Sequence, residues 1–201
     1  FTGNARRDAR PRFRVVTRIV PELEAAATGI GTMSLSPGES SGAIRQLPLL
    51  LTDGKQAFPS LTLEALRVAQ DASTFIIRGA SDRDATIEDI RIGDYVVPTT
   101  ENGELWLYYR PESRDLYVPV KDIIEGADEA RLRERLEGHI VLVGTSATGL
   151  FALRSTALGE TVPGVAMHAQ ALEQILAGTY LWRPDWSYGA EILALVLMGL
   201  L

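Results

Sequence analysis

The chain has no cysteine among its 201 residues and only two histidines, His139 and His168. Without thiols there is no structural disulfide, no thiolate zinc site and no cysteine nucleophile, while the redox compartment stays open because a cysteine-free chain is at home in either. The usual marks of a hydrolase or nucleotide enzyme are also missing: there is no HExxH pair, no GxSxG elbow around Ser146 or Ser155, and no phosphate-loop lysine. Basic residues are fewer than acidic ones, 20 against 26, and the resulting net charge of −6 speaks against a dedicated nucleic-acid binder. Internal repeats and low-complexity tracts are absent. What is present is apolar mass, 46% of the residues, enough for one sizeable core and too much for a disordered tail.

Averages conceal two asymmetries. The first 18 residues hold six arginines and one acid, a net +5, so the remaining 183 carry −11. Without interleaved aromatics this opening reads as a flexible linker rather than a lipid-binding patch. At the other end, Ile192 to Leu201 are ten uncharged residues with no polar face. A bilayer needs about 20 such residues, so the run reads as the first half of a transmembrane helix. Tyr180, Trp182, Trp186 and Tyr188 stand just before it, where aromatic side chains favour the membrane interface. The first residue is not methionine, and the chain reads as an excerpt of a longer protein. Three parts are expected: an Arg-rich opening segment over 1–19, a domain over 20–187, and the start of a truncated transmembrane helix over 188–201.

Local patterns point to a mixed α/β domain. Residues 14–20 read as a strand, 22–28 as a short helix closed by Gly29, and 36–42 as a loop by composition. A strand over 44–51 is made irregular or placed at an edge by Pro48, and Asp53-Gly54 marks a tight turn. Ser60 is positioned as an N-cap for a helix with Leu61, Ala65, Val68 and Ala72 on one face. Residues 75–78 read as a strand. Asn102-Gly103, between apolar runs at 94–98 and 104–109, predicts a β-hairpin with Leu105, Leu107 and Tyr109 on one face and Trp106 and Tyr108 on the other. Helices are expected over 121–126, 128–137 and 165–177, the second carrying a Glu129 to Arg133 pair. Ile140 to Val143, between Gly138 and Gly144, predicts a strand buried on both faces. The expected architecture is a layered mixed sheet with flanking helices and a β-hairpin.

The candidate site follows from that strand. Gly144-Thr145-Ser146-Ala147-Thr148-Gly149 would lie beyond its carboxyl end, where amides and hydroxyls can cradle an anion and where open α/β sheets bind ligands. A tight structural turn is the alternative. His168 shares a helix face with Val165, Leu172 and Ile175, so it points inward near the helix N-terminus. It either meets the Thr145 loop at the sheet edge or is a core histidine satisfied by a backbone carbonyl. Gly144, Thr145, Ser146 and His168 are therefore the ligand-binding candidates. No catalytic residue, metal ligand or cofactor is expected.

Residues 138–150, followed by Pro163-Gly164-Val165, His168-Ala169 and Arg183-Pro184, resemble the C-terminal half of the type-two CHASE domain. Gly29-Ile30-Gly31, the stretch from Ser41 through Arg45-Gln46-Leu47-Pro48-Leu49, and Phe58-Pro59-Ser60-Leu61 with Leu63-Glu64-Ala65-Leu66-Arg67 resemble earlier parts of it, in order, over roughly residues 20–190. The resemblance implies an extracytoplasmic sensor of a membrane receptor, catalysing nothing itself and followed by membrane helices. Its cytoplasmic output would commonly be an adenylate or guanylate cyclase, otherwise a histidine or serine/threonine kinase or a diguanylate cyclase. A homodimer and an unnamed small-molecule or protein signal are the implied partners. Ser41, Ala152, Ala157 and Ala166 depart from the family's pattern, which has carboxylates at 41, 152 and 166, so His168 is left without acidic neighbours.

Overall fold

A computed structural model describes residues 2–3, 13, 17–35, 42–54, 56–79, 86–126, 128–146, 153–182 and 186–200. The strands are short, and among the described residues they form several small sheets instead of the single layered sheet expected. The largest has the order β1-β6-β7-β8: β1 (Thr2–Gly3) runs parallel to β6 (Phe75–Gly79), which pairs antiparallel with β7 (Ile87–Ile92), and β7 in turn with β8 (Tyr95–Pro98). A second sheet has the order β11-β10-β2, from β11 (Thr161–Pro163), β10 (Leu153–Thr156) and β2 (Ala43–Ile44). Two pairs complete the set: β3 (Gln46–Pro48) with β9 (Glu104–Trp106), and β4 (Leu50–Thr52) with β5 (Ala57–Pro59).

Pro48 and the turns explain the fragmentation. The apolar run at 44–51 is cut into β2, β3 and β4, which serve three different sheets, and Pro48 sits in a two-stranded pair where a missing N–H is tolerated. Asp53-Gly54 closes the β4–β5 hairpin as expected, with Gln56 N donating to Asp53 Oδ1 at 2.7 Å. The hairpin expected at Asn102-Gly103 is not one. Gly103 takes a positive φ of 76° in a turn that hands the chain from β8 to β9, and those strands pair with β7 and β3. The true hairpin is β7–β8, turning at Gly93-Asp94. The alternation along β9 and beyond holds: Leu105 and Leu107 are buried, Tyr109 packs against the core, and Tyr108 is exposed.

Six α-helices are found among the described residues. α1 (Pro21–Ala26), α2 (Leu61–Ala69), α3 (Val120–Ile124), α4 (Glu129–Leu136) and α5 (Gly164–Leu176) fall where the patterns put them, and α6 (Trp186–Leu200) carries the C-terminal apolar run. Glu129 and Arg133 pair at 3.2 Å on α4. The strand expected at 14–20 does not form over 17–20, and residues 14–16 lie outside the described residues. The opening segment is tied to the domain at the points described: besides β1, Phe13 N donates to Thr52 O and its ring meets Phe58 edge-on at 5.4 Å.

A single apolar cluster unites β2, β3, β4, β6, β7, β8, β9 and β11 with α2 and α5, its largest enclosed members including Leu47, Leu50, Leu63, Ile90, Met167 and Ile175. On α2 the buried stripe is Thr62, Leu63, Leu66 and the flanking Glu64, about one residue round from the face expected, and Val68 is exposed. The two leucines outweigh the smaller alanines in deciding which face turns inward. By contrast no described residue from 108 to 155 is buried. The strand expected at Ile140–Val143 is absent: Val141 and Val143 are 50% and 80% exposed, and only Leu142 reaches the core. A four-residue apolar run identifies a strand only if a neighbouring edge is there to receive its N–H and C=O groups.

Residues 28–33 form a strap across the start of α2. Thr32 N donates to Pro59 O and Leu61 N to Thr32 O, both at 2.8 Å, so the strap caps one of the helix's unsatisfied amides while Ser60 Oγ accepts Leu63 N. Gly31 permits this approach, since a Cβ there would lie 2.5 Å from Leu61 Cα. Replacing Gly31 with Ala is expected to lower unfolding stability by about 1–3 kcal/mol, the usual range for overpacking, measured by urea denaturation of the purified chain; an unchanged midpoint would show that the strap does not bear on α2.

Candidate functional site

α5 positions a fully enclosed ionisable side chain, His168. It begins directly after Pro163 and buries Ala166, Met167, His168, Gln170, Ala171, Leu172, Gln174 and Ile175, so most of its circumference is enclosed. His168 is 1% exposed and faces α2, inward as its helical phase predicts. Its Nδ1 lies 3.0 Å from Thr62 Oγ1, and the same hydroxyl is 3.4 Å from the His168 carbonyl. Nε2 is buried without a well-formed hydrogen bond. Burial pushes the imidazole below the usual histidine range, and a backbone hydrogen bond at Met33 of the strap pulls weakly the other way. A neutral ring suits this place: Thr62 is in the first turn of α2, whose dipole presents partial positive charge.

Thr145 and Ser146 are exposed, whereas the imidazole is enclosed. Gly144 links the two places. It packs on the first turn of α5, where a Cβ would be 2.5 Å from Val165 Cγ1, so the loop rides on the helix that carries His168. Thr148 and Gly149 lie outside the described residues. Of the four aromatics expected at a membrane interface, Tyr180 is drawn into the core instead, its hydroxyl 3.5 Å from the Ile175 carbonyl and its pKa raised by burial. Trp182, Trp186 and Tyr188 are exposed, at 78%, 71% and 67%. His139 is exposed in a turn, with Nδ1 2.9 Å from Glu137 O.

Several groups that hold the site together carry no motif. Arg67 binds Glu64 through Nε at 3.1 Å and Nη2 at 2.6 Å, and also donates to Ala72 O and Thr28 O. It thus pins the strap and the end of α2 around a carboxylate that is 10% exposed. The i, i+3 spacing of Glu64 and Arg67 was the available signal. Gln174 bridges α5 to the end of β9, giving Nε2 to Trp106 O and accepting Tyr108 N, both at 2.9 Å. The hydroxyl of the half-buried Tyr109 is enclosed without a partner, and desolvation pushes its pKa up to about 12. Among the described residues no group of His, Asp and Glu could hold a metal ion.

Thr62→Val is expected to cost about 1–3 kcal/mol, because Nδ1 then joins Nε2 without a good partner, while Thr62→Ser should stay near the parent in the same urea titration. Arg67→Met, which strands Glu64, is expected to cost about 3 kcal/mol, and the double change Glu64→Gln with Arg67→Met to recover part of that. Equal losses in the single and double variants would show that Arg67 acts only through its carbonyl contacts.

No curated protein and no solved structure matches the chain. The CHASE2 domain profile matches residues 4–201, spanning the strap, α2, the Gly144 loop, α5 and α6. On that match, over nearly the whole length, the chain belongs to the CHASE2 family of extracellular sensory domains of signalling receptors.

Proposed function

We propose that this domain is the extracytoplasmic sensor of a membrane-bound receptor, acting as a homodimer, and that α6 is the start of the transmembrane helix through which it addresses a cytoplasmic adenylate or guanylate cyclase. The observation that carries this reading is the surface of α6. Ile192, Leu193, Leu195, Val196, Leu197 and Met198 are all between 54% and 69% exposed, on every side of the helix. Water is a poor environment for such a surface, and lipid a good one. At 15 residues α6 is about 22 Å long, and among the described residues no helix is long and apolar enough to cross a membrane. The proposed span therefore needs further apolar residues beyond those of α6. Exposed Trp186 and Tyr188 in its first turn fit an interfacial position. The cyclase output rests on the family's habit and not on a residue of this chain.

The candidate place for a signal is the exposed loop of Gly144, Thr145 and Ser146, with His168 as the buried group that feels a displacement of α5. A signal acts by binding two conformations unequally. A second reading is a scaffold that fixes dimer geometry and binds nothing soluble; Ala166, which leaves His168 without a nearby acid, favours it. A ligand-dependent rise in melting temperature counts against the scaffold.

The membrane assignment is tested by flotation with phosphatidylcholine vesicles. The chain is expected to float, and the Leu193→Asp, Leu197→Asp double variant to remain in the aqueous fraction, each aspartate costing about 3 kcal/mol in the apolar phase. A parent chain that stays monomeric in buffer and ignores vesicles overturns the assignment. Cyclic nucleotide formation by membranes carrying the full-length receptor tests the output, and phosphoprotein without cyclic nucleotide reassigns it to a kinase.

A further inference from the structure

The strap, α2 and α5 converge on one ionisable side chain. His168 is nine-tenths enclosed and more, its Nδ1 engaged by Thr62 of α2 and its Nε2 buried without a well-formed partner. The neighbouring strap holds a second buried, unpartnered polar atom, Thr32 Oγ1. A proton added to the ring makes both nitrogens donors and places a cation in an apolar seam at the positive end of α2. The charged groups nearby do not receive it. On α2 they are Glu64 and Arg67, committed to each other. The strap over 28–33 and β11 carry none, the Met33 backbone of the strap being the one group that favours the charged ring and a smaller effect than burial, and β8 offers only Tyr95. On α5 the other ionisable residue is Glu173, which pairs with Arg110 at 2.7 Å near the exposed C-terminal end.

We propose that His168 is a proton-operated latch: protonation at this buried position separates α5 from α2, lifts the strap off the start of α2, and displaces the Gly144 loop that rides on α5. The ligand is the proton itself, so the domain responds to acid outside the cell. This inference rests on the sensory reading above for its biological meaning and on the α2–α5 geometry for its physical content.

The sign follows from linkage. A histidine held neutral in the closed form and free to titrate in the open form stabilises the closed form above the ordinary histidine pKa, and that contribution is lost as pH falls. The Thr32 and Leu61 amides, which close the strap, report the opening. Hydrogen exchange on the 201-residue chain, corrected for the intrinsic pH dependence, is expected to speed up about tenfold for each pH unit below about 6.5. In His168→Gln, which keeps a neutral polar side chain, that slope should vanish. Thr62→Asp, which sets a carboxylate against Nδ1, should reverse it. No acceleration in the parent chain, or the same slope in His168→Gln, overturns the latch. In the full-length receptor, output should change between external pH 7.5 and 5.5 and lose that change in His168→Gln. A latch that opens in the isolated chain beneath an output indifferent to pH overturns the sensory role alone.

Discussion

The contact between α2 and α5 is the constraint from which the rest of the domain takes its arrangement. Leu63 and Leu66 on one helix and Met167, Ala171 and Ile175 on the other belong to the one apolar cluster, and that cluster also receives strands from every sheet. None of the sheets could bury its own face, because the strands are two to six residues long. The helices supply a continuous surface where the sheets do not. Polar groups then fix the helices against their surroundings: Thr62 to His168, Arg67 to the strap, Gln174 to the end of β9. Each is a hydrogen bond in a dry place, where a missing partner costs more than the bond itself contributes.

This layering separates the domain into a tightly held part and a loosely held one. The segment from β2 to β4, the larger sheet, β9, β11, α2 and α5 contain nearly all the enclosed side chains among the described residues, while α3, α4 and the 140–146 segment present apolar residues to the outside. Gly144 touches both parts, seated on Val165. A sensory domain needs such a junction, since a rigid core transmits a displacement and a weakly packed flank permits one. The exposed apolar helix α6 lies at the far end of the same chain segment that forms α5, with Tyr180 anchored to the core between them.

Much of the local structure was legible from residue pattern. The Ser60 cap, the Asp53-Gly54 turn, the helices over α3, α4 and α5, and the alternation from Leu105 to Tyr109 all depend on interactions within a few residues, so the sequence window contains the cause. The misreadings share a different cause. Asn102-Gly103 does make a turn, but which strands it joins is decided by Gln46 to Pro48, more than fifty residues earlier. The α2 face shifted because Leu63 and Leu66 enter the apolar cluster and Thr62 meets His168 of α5. Ile140 to Val143 has the composition of a buried strand and no edge to pair with.

For the site the division is sharper. Sequence alone determined that His168 points inward, that Gly144 begins a loop rich in hydroxyls, that the C-terminal run has no polar face, and that the whole resembles a type-two CHASE sensor. These follow from helical phase, from composition and from the order of motifs along the chain. Only the tertiary structure decided that the imidazole meets Thr62, that the strap crosses α2 at Gly31, that Thr145 and Ser146 stay outside, and that Tyr180 leaves the aromatic group to pack inside. Those pairings join residues up to 106 positions apart. No local propensity encodes them, because they exist only once the apolar cluster has brought α2 and α5 together.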